Sequence, residues 1–285
     1  MTVDSSRRRI VGTLAIPPGA GRCPVVLIIA GSGPTDRNGN NPLGIGADTY
    51  KELAAALMSS GVASLRYDKR YVGASNVPPL DEARVHFEDE VDDATAWLRV
   101  LSSDRRFTHV TVAGHSQGSL TGMLAAERVA PAAFVSLEGP GRDGGSLILE
   151  QVTSRFSAEI AATARAIVER LDNGETTANV PPALYTLFRP SVQPYLMSWI
   201  PYDPAREITQ LRCSVTIVQG TDDTQVSLLD ARALKAASPS AALVIVPRMT
   251  HTLKQIGPDV EQIRTYLDPS LPIAPEVVDA VLAAV

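Results

Sequence analysis

The chain has 285 residues, of which 45% are hydrophobic and 20% charged, a composition ordinary for a globular protein with one sizeable core. Its net charge of −5 argues against nucleic acid or an anionic membrane as a partner, and the single basic run, Arg7-Arg8-Arg9, reads as a solvated terminus. Two cysteines, Cys23 and Cys213, offer neither a disulfide framework nor metal-ligand spacing, and both read as small apolar residues beside strands.

In chain order, the stretch IVGTLAIPPGAG after the arginines is too short and too proline-broken for a signal-peptide core, so the expected location is the cytoplasm. Val25–Ala30 is β-branched and continuously apolar, as a strand covered on both faces should be, and it is far below membrane-spanning length. Thr49 to Ser60 reads as a helix stopped by Gly61, and Ser64–Tyr67 as a second strand. Glu88 to Ser102 is helical, with Val91, Ala94, Trp97, Leu98 and Leu101 on one stripe. Strand Val110–Ala113 leads into VAGHSQGSL, and a helix over Ser119 to Val129 leaves it. Phe134–Leu137, Val215–Val218 and Leu243–Val246 complete the buried strands; Val226 to Ala237, Val260 to Leu267 and Glu276 to Ala284 read as helices. Such alternation predicts right-handed crossovers and a mostly parallel sheet with helices on both faces. From Gly139 to about Arg206 there is no strand signal, only a long helical pattern over Gly144 to Leu171 and a segment rich in proline and aromatics. Residues 139–206 are therefore expected to form a helical cap, inserted into a core made of residues 1–138 and 207–285.

The strand–turn–helix context gives GHSQG its meaning. A nucleophile in such a turn sits in strained backbone, and side chains two before and two after it would crowd the strand and helix, so Gly114 and Gly118 fit the geometry. The turn would project the Ser116 hydroxyl at the positive end of a helix, with the Gln117 backbone N–H aimed where an oxyanion forms. Serine needs a base, and the base needs a carboxylate. Of four histidines, His115 is inside the turn with its side chain aimed elsewhere, His86 starts a charged helix and His109 leads into a strand; His251 follows the apolar strand Leu243–Val246 after a short loop, at the edge where parallel sheets keep their sites. The acid is sought after Val215–Val218, where Asp222 and Asp223 both stand, giving the chain order Ser, Asp, His. A second oxyanion donor is expected from the glycine-rich loop after Val25–Ala30, with the Ser32 N–H the choice; the P-loop pattern and its lysine are absent there.

With these parts in place the sequence resembles an α/β-hydrolase over nearly all its length. GHSQG resembles the nucleophile elbow and AGSGP the oxyanion loop, with Ala30 where many members have histidine. RYDKRYVGAS resembles the segment after the next strand, with Tyr71 in place of the usual glycine. GTDDTQV resembles the acid loop and MTH the histidine loop; the family's spacing, three residues from a glycine and three to a valine, selects Asp223 between Gly220 and Val226. GSGPTDRNGN and the PSVQPYL…YDP region are similar to bacterial serine carboxylesterases and acyl hydrolases with a helical cap.

The resemblance implies cleavage of small-molecule carboxylic esters through an acyl-enzyme, without cofactor or metal. Ser116 would be the nucleophile, His251 the base and Asp223 its orienting acid. The same triad could cleave thioesters or amides or transfer acyl groups, and a silent hydrolase-shaped binder is the reading from another class. Leu184, Leu187, Phe188, Tyr195, Leu196, Met197 and Trp199 are too apolar for a solvent-facing insertion; they are expected to line a pocket above Ser116 or to pack the cap onto the core. The Gln117 side chain is given no role, only its N–H.

Overall fold

The computed structural model describes residues 1–6, 8–79, 81–257 and 261–285. Among these, eight strands form one sheet: β1 (Thr2–Ser5), β2 (Arg8–Ala15), β3 (Cys23–Ile29), β4 (Ala63–Tyr67), β5 (Phe107–His115), β6 (Ala133–Leu137), β7 (Ser214–Gly220) and β8 (Ala242–Val246). Their spatial order is β1-β2-β4-β3-β5-β6-β7-β8. The β1–β2 and β2–β4 pairs are antiparallel; every pairing from β4 to β8 is parallel.

Strand β3 shows why the sheet is a central layer. Alternate residues point to opposite faces, so Val25, Leu27 and Ile29 enter one apolar cluster while Val26 and Ile28 enter another. The first cluster is closed by α2 (Phe87–Ser103), α3 (Gln117–Arg128) and α9 (Leu228–Ala237), through Trp97, Leu98, Met123, Ala231 and Leu234. The second is closed by α1 (Thr49–Ser59) and α11 (Pro275–Ala284), through Leu53, Leu57, Val277 and Val281. With both faces covered, a run such as PVVLII has no need of polar alternation.

Between β6 and β7 the regular structure is helical: α4 (Gly144–Arg155), α5 (Ala158–Asp172), the single turn α6 (Tyr185–Phe188), α7 (Gln193–Trp199) and α8 (Pro204–Glu207), with short 3₁₀ turns. Helices α4 to α7 share a third apolar cluster with α2 and α3, in which Leu184, Phe188, Leu196 and Trp199 pack with Phe87, Leu120 and Leu124.

Several boundaries differ from the expectations, each for a local reason. The pattern expected to run unbroken over Gly144 to Leu171 is two helices, because Phe156 turns extended and Ser157 caps the second by accepting the Ile160 N–H. The helix expected from Val226 starts at Leu228, where Ser227 and Asp230 cap each other's backbone. The helix expected over Val260 to Leu267 is α10 (Gln262–Leu267), and Val260 lies outside the described residues. The larger correction concerns the basic run. Arg7 is outside the described residues, but Arg8 and Arg9 belong to β2 rather than to a solvated terminus. Near the sheet edge a strand is exposed on one side, so arginines fit; Arg8 donates to the carbonyls of Val77 (2.7 Å) and Pro79 (3.1 Å) and stands 4.9 Å over the Tyr71 ring. Tyr71 has φ 65°, the left-handed conformation that a glycine would adopt without strain.

Candidate active site

Strand β5 ends at His115, α3 begins at Gln117, and Ser116 makes the whole turn between them at φ 55° and ψ −129°. The turn closes only because its flanks lack side chains: a Cβ on Gly114 would collide with the Gly118 carbonyl, and one on Gly118 with the carbonyls of Ile29 and Ala30. The Ser116 N–H is anchored to the Leu137 carbonyl at 2.9 Å, fixing the turn against β6. Ser116 remains 9% exposed.

The loop after β8 brings His251 to this serine. His251 Nδ1 lies 2.7 Å from Asp223 Oδ2, and Nε2 lies 3.0 Å from Ser116 Oγ. A carboxylate only accepts, so Nδ1–H donates to Asp223, and the Nε2 lone pair is left to accept the Ser116 hydroxyl. Asp223 Oδ1 accepts the N–H groups of Gln225 (2.7 Å) and Val226 (3.0 Å), which aims the second oxygen at the ring. Asp222 turns the other way, its carboxylate accepting the Thr221 hydroxyl at 2.7 Å. Serine, imidazole and carboxylate thus stand in line, the arrangement that lets a hydroxyl lose its proton as it attacks.

Two backbone N–H groups beside Ser116 are, among the described residues, without a protein acceptor: that of Gln117, which opens α3, and that of Ser32. Ser32 follows Gly31, which lies so close to the nucleophile that a Cβ on it would stand 3.1 Å from Ser116 Cβ.

Glu138 was not singled out in the sequence. Fully buried at the end of β6 with φ 48°, it accepts the Gly220 N–H at 2.9 Å, is bonded by the Gln219 amide, and neighbours the Asp223 carboxylate. Burial pushes the Glu138 carboxyl well up, and the neighbouring Asp223 carboxylate pushes it further. Burial also acts to raise Asp223, but the His251 ring, the Glu138 contact and the Val226 N–H outweigh it and hold Asp223 at about 2. The two shifts run in opposite directions, so of the pair Glu138 is the carboxyl that favours the proton and Asp223 the one that favours the charge. The available signal was position: an acidic residue ending a buried parallel strand stands at the edge where β5, β7 and β8 also end.

His115 fills the space behind His251. Its Nε2–H donates to the His251 carbonyl at 2.7 Å, leaving Nδ1 to accept the Tyr50 hydroxyl, also at 2.7 Å. Burial, with the adjacent His251, lowers its pKa to about 3, so it is neutral. The Gln117 side chain also has a partner that the sequence reading did not give it: its Oε1 accepts the Tyr195 hydroxyl at 2.9 Å, tying α7 to the turn.

Residues 26–259 match the alpha/beta hydrolase family. The chain is 29% identical over 234 residues to Esterase EstD of Thermotoga maritima, an alignment covering 80% of this chain and 53% of that protein. It therefore spans about half the length of the curated relative it matches. Among solved structures, Est1E of Butyrivibrio proteoclasticus with ferulic acid bound has a TM-score of 0.63 at 19% identity, covering 99% of each chain. An esterase of Pyrococcus furiosus has a TM-score of 0.61 at 15% identity, covering 100% of this chain and 88% of its own. At these identities the two structures speak for the fold. The described residues contain no helix long and apolar enough to cross a membrane.

Proposed function

The chain belongs to the alpha/beta hydrolase family, and from that premise we propose that it is a serine carboxylesterase acting on small-molecule esters. The observation that carries the reading is the line from Ser116 Oγ through His251 to Asp223, at 3.0 and 2.7 Å. The kinship with Esterase EstD favours esters over other acyl compounds.

In this mechanism Ser116 Oγ attacks the ester carbonyl carbon while His251 Nε2 takes the hydroxyl proton. The carbonyl π pair moves onto oxygen, and the oxyanion is received by the N–H groups of Gln117 and Ser32. Asp223 stabilises the imidazolium without taking its proton. The oxyanion collapses, the bond to the alcohol oxygen breaks, and the alcohol leaves with the proton from His251. Water then attacks the acyl-Ser116 ester by the same steps and releases the carboxylic acid. Residues 139–206 act as a cap over the core of residues 1–138 and 207–285, held by the shared apolar cluster and the Tyr195–Gln117 bond.

A fluorophosphonate probe and p-nitrophenyl esters of graded acyl length test the proposal. The wild type should label at Ser116 and turn the esters over. Ser116→Ala should stay folded, resist labelling and lose about three orders of magnitude or more in activity. An unlabelled wild type with no turnover would point to a silent binder and overturn the reading.

A further inference from the structure

Resting on that reading, we propose that Lys69 is a positioning residue for the oxyanion site: it grips the carbonyl of the Gly31–Ser32 peptide and so aims and polarises the Ser32 N–H. Lys69 Nζ donates to the Gly31 carbonyl oxygen at 3.1 Å. That carbonyl and the Ser32 N–H are the two ends of one peptide group, and in a trans peptide they point in opposite directions. Holding the oxygen from one side therefore fixes where the hydrogen points on the other. A cation at the oxygen also draws electron density along the amide, leaving the N–H a stronger donor.

The grip is built from buried parts. Lys69 is 7% exposed and pairs with Glu90 at 2.8 Å. Glu90 lies on α2, and the Tyr195 hydroxyl of α7 stands beside it. A void of about 10 Å³ bordered by Ile29, Ala30, Tyr67, Lys69, Glu90 and Asp93 holds no more than one water, so the pair is little screened by solvent. Gly31 is held from its other side as well: its N–H donates to the Tyr50 oxygen at 3.1 Å, and Tyr50 donates onward to His115. With its N–H and C=O both engaged, the Gly31 backbone is fixed, and among the described residues the adjoining Ser32 N–H meets no protein acceptor. A lysine that only paired with Glu90 would have no need of the Gly31 oxygen.

The test compares wild type with Lys69→Met and with the double substitution Lys69→Met/Glu90→Gln, which leaves no unpaired carboxylate buried if the single variant misfolds. Three quantities are read: kcat and KM for a p-nitrophenyl ester, the Kd of an alkyl boronic acid whose tetrahedral adduct places an oxygen at the donors, and the melting temperature. The double variant should lose about ten- to a hundredfold in kcat and in boronate affinity, with KM within about threefold. If the wild type hydrolyses esters while the double variant keeps kcat and boronate affinity within about twofold, this proposal falls and the esterase reading stands. Failure of the wild type to label with fluorophosphonate would instead remove the parent reading.

Discussion

Asp222 and Asp223 are the same residue type in consecutive positions, and their surroundings separate them completely. The Asp223 carboxylate is fully buried against His251, whereas Asp222 bonds the hydroxyl of its neighbour Thr221. Asp223→Asn would present an amide to Nδ1 and favour the wrong imidazole tautomer, so kcat should fall about 10⁴-fold. Asp222→Asn should cost less than about tenfold in the same steady-state assay. The reverse ranking would move the orienting role to Asp222. Glu138 makes a second prediction. Its folded pKa is raised, so above its ordinary value of 4.5 the folded chain holds a proton that the unfolded chain has released. The resulting stability is complete below that value and is lost as pH rises through the folded pKa, at up to about 1.4 kcal/mol per pH unit. Glu138→Gln does not titrate, so denaturant unfolding between about pH 5 and about pH 8 should show a shallower decline than wild type. Equal slopes would mean that Glu138 is already ionised in the fold.

At the level of elements, the strands and helices that carry the site were legible because each has a strong period or is bounded by its own caps. The first two strands were not. Arg8–Ala15 opens with arginines and is only half buried, so its place depends on pairing with β4 and β1, which no local pattern announces. The apolar residues of the segment 139–206 were left open in the sequence between lining a pocket and packing, and two of them pack against other helices. Phe188 is 0% exposed and the Trp199 ring lies over Gly144, so both hold helices together. Phe188→Ala should destabilise the protein by about 3–5 kcal/mol, read from the denaturant midpoint, with little change in preferred acyl length. A shifted acyl preference at unchanged stability would return Phe188 to the substrate pocket. The Tyr195–Gln117 bond and the Lys69 grip left no trace in local sequence, because each joins side chains whose meeting depends on how α2 and α7 pack.

Across the whole molecule, the parallel sheet does the assembling. The loops after β3, β5, β7 and β8 carry Ser32, Ser116, Asp223 and His251, and parallel strands end on one side, so residues far apart in sequence arrive at one edge. That convergence could be read before any coordinates, from a strand ahead of each residue and the order Ser, Asp, His. The packing behind it, in Tyr50, His115 and Glu138, could not, since buried polar partners are chosen by geometry rather than by spacing. The central claim is that Ser116 carries the acyl group. Its most direct test is mass spectrometry of the protein acid-quenched during turnover of p-nitrophenyl acetate. One acetyl group on the peptide containing Ser116, absent in folded Ser116→Ala, is the predicted result; turnover with no adduct on Ser116, or a Ser116→Ala protein retaining a tenth of wild-type activity, would contradict it.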